Sequence, residues 1–149
     1  MPSTIREALV GDINQLAHLF DLYRIFNKKV SDHNAAREFL IERLQKKDSV
    51  IFVAFEAAEL VGFTQLYPLF SSLAMKPAWI LNDLYVLAEW RGRGVARQLL
   101  DKAKELARET GASGIQLETE KTNEQGNHLY PAAGFLPYDL NNFYWWPVG

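Results

Sequence analysis

The run from Trp79 to Thr119 restricts the fold more than any other part of this 149-residue chain. Trp79 to Leu87 is an apolar and aromatic run typical of a strand, and Ile115 to Thr119 is a second such run. Between them, a glycine-containing turn opens a segment whose apolar residues recur at helical spacing. A strand, a helix and a strand in this order form a βαβ unit, in which the strands run parallel. The chain is therefore predicted to contain a parallel strand pair with a helix packed across it.

The rest of the chain supplies further strands and helices around this unit. The predicted strands cover residues 4–9, 49–55, 60–67, 79–87 and 115–119, with two more near 135–136 and 143–146. The predicted helices follow Gly11-Asp12, Ser31-Asp32 and Gly94, and a fourth covers residues 124–133. Residues 68–77, which include two prolines, are predicted to form a loop. The prediction is an α/β (α+β) fold, a mixed and mostly antiparallel sheet with a central parallel βαβ unit flanked by helices, in a single domain of residues 1–149.

Charge and composition narrow the classes of partner. Sixteen Lys and Arg residues against eighteen Asp and Glu give a formal net charge of −2, so no overall basic field favours nucleic acid or a membrane surface. Residues 1–9 do not resemble a secretory signal, and no apolar run approaches the roughly 20 residues that span a bilayer. We therefore expect a cytoplasmic protein with no nucleic-acid or membrane partner.

The chain contains no cysteine, and this absence excludes several kinds of site. A disulfide, a thiolate metal ligand and a cysteine nucleophile are all impossible. His18, His33 and His128 are not spaced as metal ligands, so no metal is expected.

The turn Arg91-Gly92-Arg93-Gly94-Val95-Ala96 lies where helix-terminal N–H groups lack partners and the helix dipole is positive. Glycines let a bulky phosphate approach the backbone, and the arginines add local positive charge. The turn therefore predicts an anion site, although a plain tight turn between a strand and a helix has the same pattern.

A P-loop needs Lys followed by Ser or Thr after the last glycine, and Arg97 stands where a Rossmann fingerprint has its third glycine. Both of these nucleotide motifs are disfavoured.

The same six residues resemble the Arg/Gln-x-x-Gly-x-Gly/Ala signature of the GCN5-related N-acetyltransferases, the GNAT superfamily. The resemblance extends over residues 4–146 and includes Leu-Asn-Asp-Leu-Tyr-Val at 81–86 and the segment from Asn123 through Tyr130 to Phe135. Within the superfamily, the chain is most similar to the small-amine acetyltransferases of the diamine and thialysine kind. The resemblance implies a GNAT fold, acetyl-CoA as cosubstrate, a small-molecule amine as acceptor, and a possible homodimer.

The resemblance also assigns cofactor-binding residues. The backbone amides that hold the pyrophosphate of coenzyme A are those of Arg91, Gly92, Arg93, Gly94, Val95 and Ala96. The resemblance assigns two tasks to the backbone of Leu84, Tyr85 and Val86, where the two parallel strands separate. This backbone pairs with the pantetheine arm and polarises the carbonyl of the acetyl group. Asn123 contacts the pantetheine arm, and Tyr130 lies at the cofactor as the donor of a proton to the departing thiolate. A plain helix cap at Asn123 and a core aromatic at Tyr130 are the alternatives.

Asp83 is the predicted acceptor-site carboxylate. Strict alternation puts Leu81, Asp83 and Tyr85 on one face of the strand, so Asp83 interrupts an apolar face. A carboxylate there can bind a cationic amine and accept its proton, directly or through water, whereas a salt bridge or a turn cap is the alternative. The further substrate-binding candidates are Asn82, Tyr67 and Trp79.

These residues predict transfer of acetyl to a primary amine by direct attack in a ternary complex. A cysteinyl acyl-enzyme is excluded because the chain has no thiol. The alternative is a non-catalytic binding module, in which the turn and helix of residues 91–108 bind nucleic acid or a phosphate-bearing regulator. The charges of that helix alternate in sign, which is more typical of a solvated face.

Overall fold

The computed structural model describes residues 3–149, so residues 1 and 2 of the predicted domain lie outside it. The chain divides into two compact units, one reaching to Glu118 and the other spanning Thr119–Gly149. Within the described residues, the first unit holds a five-stranded sheet and three α-helices, and the second holds one α-helix. The single domain of residues 1–149 remains a prediction.

The sheet has the strand order β1-β2-β3-β4-β5. Its strands are β1 (Thr4–Glu7), β2 (Val50–Glu56), β3 (Glu59–Ser71), β4 (Lys76–Val86) and β5 (Ile115–Gln116). Neighbouring strands pair antiparallel except β4 and β5, which pair parallel at Trp79↔Ile115 and Ile80↔Gln116. The predicted mixed and mostly antiparallel sheet is confirmed. Its parallel pair lies at one edge, because β5 is the last strand.

Helices of the first unit cover both faces of its sheet. They are α1 (Ile13–Phe26), α2 (His33–Lys46) and α3 (Val95–Glu109), and the second unit holds α4 (Glu124–Ala132). A Cβ on Gly62 of β3 would meet Val95 and Leu99 of α3 at 3.2 and 3.3 Å. The ring of the next residue, Phe63, lies 6.0 Å from that of Phe20 on α1. Because successive strand residues point to opposite faces, α1 and α3 cover opposite faces of the sheet.

The loop predicted for residues 68–77 is wrong in its bounds, because only residues 72–75 form a turn and the rest lie in strands. Pro68 and Pro77 both lie inside the paired β3–β4 hairpin. A proline has no N–H to donate, so a strand tolerates it where no neighbouring strand is hydrogen-bonded on one of its sides. β2 pairs with β3 only as far as Leu66, and β5 pairs with β4 only from Trp79 onward. The prolines therefore lie where the hairpin extends beyond its neighbouring strands.

The strands predicted near 135–136 and 143–146 are also wrong, since residues 133–149 contain no helix or strand. Their aromatic side chains are largely exposed, with Tyr144 at 91% and Trp145 at 88%. Strand propensity of aromatic residues reflects packing against a neighbouring strand, and the described residues of Thr119–Gly149 form no strand. β5, at Ile115–Gln116, is shorter than the strand predicted for residues 115–119.

Asp21 of α1 holds the connection between α1 and α2. Its buried carboxylate accepts hydrogen bonds from Ser31 Oγ (2.6 Å) and from the backbone N–H of Asp32 (2.8 Å). Asp32 in turn caps α2, because its Oδ1 accepts from the N–H of Ala35 at 3.1 Å. The hydrogen bond from Ser31 is the main reason that the pKa of Asp21 lies below its ordinary value.

We expect Asp21→Asn to lower the free energy of unfolding by about 1–3 kcal/mol near neutral pH, because it removes a buried, charged acceptor from two hydrogen-bond donors. A carboxyl whose pKa is lowered by folding stabilises the native state above its ordinary pKa of about 4, and this contribution is lost as the pH falls. Thermal denaturation at a series of pH values should therefore show the two proteins converging in acid. Asp139→Asn, which removes an exposed carboxylate, is the control. A difference that stays constant with pH would contradict the prediction.

Candidate active site

The glycine turn after β4 has a backbone that only glycine adopts readily. Gly92 and Gly94 have φ values of +75° and +84°, in the left-handed region. A Cβ on either residue would meet nothing within 4 Å. The two glycines are therefore required for the path of the backbone and leave open space beside it.

Gly94 is also the N-cap of α3, and no side chain caps this helix. The N–H of Gln98 donates a hydrogen bond to the carbonyl of Gly94 at 3.0 Å, which closes the first turn of the helix. The N–H groups of the first turn, including those of Val95 and Ala96, thus have no acceptor within the helix. Open backbone, unmatched donors and the positive end of the helix dipole fit a phosphate group.

The arginine side chains of the turn have contacts within the first unit. Arg91 Nε donates to the carbonyl of Val86 at 2.9 Å, and its guanidinium lies over the rings of Tyr85 (5.3 Å) and Phe26 (5.6 Å). Arg93 lies 4.7 Å above the ring of Trp90. Arg91 therefore fastens the turn to β4 and to the end of α1, so the turn itself presents backbone N–H groups rather than this side chain.

A β-bulge interrupts β4 at Asn82. Leu81 pairs with Leu66 and Asp83 pairs with Gln65, so Asn82 has no partner in the register. Gln65 and Leu66 are consecutive and point to opposite faces, and so do their partners. The prediction that Leu81 shares a face with Asp83 is therefore wrong, because a bulge shifts the alternation by one residue.

Asp83 is 4% exposed and has hydrogen-bond donors on both carboxyl oxygens. Gln65 Nε2 donates to Oδ2 at 2.7 Å, and Asn82 Nδ2 donates to Oδ1 at 3.1 Å. Burial raises the pKa of Asp83, and hydrogen bonds from the side chains of Gln65, Tyr23 and Asn82 act in the opposite direction. The result is a buried carboxyl whose pKa lies above its ordinary value.

Tyr67 and Asp83 are close, whereas Trp79 lies elsewhere. Tyr67 is two residues from Gln65 on β3 and so points to the same face; burial and then the charge of Asp83 raise its pKa to about 12. Trp79 precedes the bulge, and its buried indole Nε1 donates to Thr110 Oγ1, just after α3, at 2.9 Å. The sequence-predicted pair of Tyr67 and Asp83 is thus brought together on one face, and Trp79 packs on the other.

Sequence reasoning missed two residues of this site, Gln65 and Tyr23. Tyr23 OH donates to the carbonyl of Asn82 at 3.2 Å, and its ring lies 6.4 Å from that of Tyr85. Gln65 could have been noticed as an amide inside the apolar run of β3, but its contact with Asp83 depends on the register. Tyr23 has the spacing of an ordinary core aromatic and carries no such signal.

The edge of β4 next to β5 is open along the predicted pantetheine-pairing residues. Within the described chain, β5 pairs with β4 only at Trp79 and Ile80. On the other side, Leu84 pairs with Thr64 and Val86 pairs with Gly62 of β3. Backbone groups on the free side of residues 84–86 therefore lack a strand partner, which is what an extended ligand needs for hydrogen bonding. The carbonyl of Val86 is the exception to this availability, since it accepts from Arg91 Nε.

Asn123 and Tyr130 lie in the second unit. Asn123 caps α4: its Oδ1 accepts from the N–H of Gly126 at 3.2 Å, and its Nδ2 donates to Thr119 Oγ1 at 2.8 Å. The Tyr130 ring lies edge-on to Phe135 at 6.1 Å, and burial raises the pKa of its hydroxyl. A Cβ on Gly126 would lie 2.6 Å from Asn123 Nδ2 and 3.2 Å from the Tyr130 ring. Glycine at 126 therefore keeps both side chains packed against the helix.

Two further properties concern the described residues as a whole. Among residues 3–149, no group of three or more His, Cys, Asp or Glu side chains is arranged to hold a metal ion. None of the helices described above combines the length and the apolar composition needed to cross a membrane.

Comparisons with known proteins show which family the chain resembles. The model of the family described as "Acetyltransferase (GNAT) family" matches residues 15–135. The uncharacterized N-acetyltransferase YhfO of Bacillus subtilis (strain 168) is 43% identical over 143 residues, covering 92% of this chain and 96% of the relative. The thialysine N-epsilon-acetyltransferase of Caenorhabditis elegans is 27% identical over 135 residues, covering 87% and 76%.

A solved structure, described as a probable acetyltransferase, has 41% sequence identity and a TM-score of 0.92, with 98% of both chains covered. The family match, the curated relatives and this structural similarity confirm the predicted GNAT fold and the predicted class of enzyme. The family generally uses acetyl-CoA. The chain belongs to the acetyltransferase (GNAT) family and is an acetyltransferase.

Proposed function

We propose that this protein transfers acetyl from acetyl-CoA to the primary amine of a small molecule by direct attack in a ternary complex. The observation that carries the proposal is Asp83, a buried carboxyl with a raised pKa on the strand that leads into the glycine turn. A carboxyl of this kind is suited to proton transfer near neutral pH. A relative named for thialysine supports a small amine as the acceptor.

The turn before α3 fits the phosphates of coenzyme A, as judged by its open backbone and uncapped N–H groups. We assign this role to the backbone of residues 91–96, and assign the free edge of Leu84, Tyr85 and Val86 to the pantetheine arm. Asn123 belongs to the same predicted set, although its side chain is engaged as a helix cap. Bound acetyl-CoA supplies an acetyl group activated as a thioester.

Asp83 has two roles in the proposed reaction. As an anion it attracts the protonated amine, and we assign the phenols of Tyr67 and Tyr23, which lie near it, to the acceptor site. It then takes one proton from the ammonium, which leaves a neutral nitrogen with a lone pair. Asn82 holds the Asp83 carboxyl from the solvent side.

Tyr130 completes the proton balance. As the amine nitrogen forms its bond to the acetyl carbon, the bond from that carbon to sulfur breaks and the thiolate needs a proton. Burial raises the pKa of Tyr130, so its hydroxyl remains protonated and available as the donor at neutral pH. The chain has no cysteine to carry the acetyl group in a separate step.

We expect Tyr130→Phe to lower kcat by about 10²-fold or more, the usual contribution of an acid catalyst, with little change in acetyl-CoA affinity. Stopped-flow assays of thiol release give kcat, and calorimetry gives the affinity. Tyr138→Phe makes the same chemical change at an exposed tyrosine and should have no effect. Full activity of Tyr130→Phe would remove this residue from the donor role.

The acceptor is found by screening amines for release of free thiol from acetyl-CoA. The panel consists of thialysine, a polyamine, a free amino acid, an aminoglycoside and a peptide with a lysine and a free N-terminus. Acetylation of one of the small amines, identified by mass spectrometry, is the expected result. Acetylation of the peptide alone would overturn the assignment of a small-molecule acceptor.

No observation favours the alternative of a binding module at residues 91–108. Cations of α3 are matched by acids on the same helix, with Arg97 Nε 3.8 Å from Asp101 and Lys102 Nζ 3.2 Å from Glu105. This arrangement is that of a solvated helix surface. A homodimer remains a prediction, to be tested by light scattering.

A further inference from the structure

Gln65 is a polar side chain at the centre of the sheet with no exposed surface. Both ends of its amide have partners from other elements. Ser49 Oγ, just before β2, donates to Oε1 at 2.8 Å, and Nε2 donates to Asp83 Oδ2 at 2.7 Å. A chain of hydrogen bonds therefore runs from the half-buried Ser49 through the buried Gln65 to the buried carboxyl of Asp83.

The direction of this chain follows from the chemistry of its groups. A carboxylate can only accept, so Gln65 must present its NH₂ group to Asp83 and its carbonyl to Ser49. If the amide were reversed, a carbonyl oxygen would face the carboxylate and repel it. In this orientation the hydroxyl of Ser49 donates to the Gln65 carbonyl. The Asp83 carboxylate thus sets the orientation of the Gln65 amide, and Ser49 on a third segment of the chain satisfies the carbonyl at its other end.

We propose that Gln65, whose carbonyl accepts from Ser49, is a positioning residue that fixes the Asp83 carboxyl and favours its ionised form before the acceptor amine binds. This inference rests on the proposed function, in which Asp83 accepts the ammonium proton. Burial deprives an ionised Asp83 of water, and the Gln65 amide replaces part of that lost hydration. Without this donor, the carboxyl would hold its proton to higher pH and bind a cationic amine less well.

Other groups also face Asp83 and remain unchanged in the test. They are the phenol of Tyr23 on α1, the phenol of Tyr67 on β3 and the amide of Asn82 on β4, and around Tyr67 the ion pair of Arg43 with Asp48. Arg43 Nε and Asp48 Oδ1 are 3.2 Å apart and largely offset each other's charge. The effect of Gln65 can therefore be isolated by changing Gln65 alone.

The test is a carbon-13 NMR titration of the Asp83 carboxyl in the full chain without ligands, with the signal assigned by its loss in Asp83→Asn. We expect Gln65→Leu to raise the midpoint by about one pH unit or more, a tenfold gain in proton affinity. Ser49→Ala should raise it by a smaller amount. Thr64→Val is the matched control, since Thr64 Oγ1 is equally buried but donates to the backbone carbonyl of Asp83 at 2.8 Å. It should leave the midpoint unchanged.

A second measurement needs no variant at all. The side-chain NH₂ signals of Gln65 in the wild-type chain should shift with pH at the same midpoint as the Asp83 carboxyl. The proposal would be overturned if the Asp83 carboxyl titrated with the same midpoint in Gln65→Leu and in the wild type. It would also be overturned if the NH₂ signals of Gln65 did not shift as Asp83 titrates. The amine screen tests the proposed function independently, so a protein that acetylates no amine can still show this coupling.

Discussion

Gly94→Glu is expected to abolish measurable binding of coenzyme A, a loss of at least about 100-fold in affinity or roughly 3 kcal/mol. Gly94 has a φ of +84° at the N-cap of α3, and a Cβ there enters open space beside the uncapped N–H groups. The glutamate side chain would place a negative charge at the positive end of the helix, where the phosphates are proposed to bind. Isothermal titration calorimetry with coenzyme A measures the effect.

Gly111→Glu is the matched control for this experiment. Gly111 follows the other end of the same helix, has a φ of +67° and likewise has nothing within 4 Å of a Cβ. Both variants therefore carry the same charge and a similar backbone strain, of order 1–2 kcal/mol, but only Gly94 lies at the proposed phosphate site. We expect the two variants to have similar melting temperatures. We expect only Gly111→Glu to retain binding of coenzyme A. Equal binding by both variants would remove the turn from the cofactor site.

The glycine turn was predictable because its signals are local. Positive φ at two glycines, a strand before them and a helical pattern after them can all be inferred from a short window of sequence. The same is true of the parallel strand pair, since its connection through a helix requires that direction. The predicted βαβ unit is accordingly present as β4, α3 and β5.

The errors have one physical source, which is strand pairing between distant residues. The bulge at Asn82 depends on the register between β3 and β4 and leaves no mark in the alternation of β4 itself. Strict alternation through the bulge would put Trp79 and Asp83 on one face of β4. In the structure Trp79 makes a hydrogen bond to Thr110, and Asp83 accepts one from Gln65 on the other face. Sequence could thus identify Asp83 as a polar residue in an apolar run, but not its partners.

The aromatic segment at the end of the chain shows the same limit. Its residues have high strand propensity, but that propensity expresses packing against a neighbour, and residues 133–149 have no strand in the described structure. The strand prediction for these residues required a neighbouring strand, and the presence of such a strand depends on the whole fold. The helix that carries Tyr130, and a cap just before it, could be predicted because a helix cap and helical spacing are again local features.

Asp83→Asn should lower kcat/KM for the accepted amine by about 10²–10⁴-fold, the range expected for loss of a general base. Coenzyme A affinity should not change, because the variant leaves the glycine turn intact. The wild-type kcat/KM should rise with pH through the raised pKa of Asp83, and this rise should be absent from the variant. Steady-state kinetics over a range of pH values, with thiol release as the signal, test both expectations.

Stability should change in the opposite direction to activity. Folding raises the pKa of Asp83 above its ordinary value, so the ionised carboxyl destabilises the native state at neutral pH and this penalty disappears as the pH falls. Asp83→Asn should therefore unfold at the same or a higher temperature than the wild type at neutral pH, as expected for a site where stability is given up for function. Asp101→Asn, on the exposed surface of α3, should change neither property. An inactive Asp83→Asn that is also strongly destabilised would indicate a structural carboxylate rather than the proposed base.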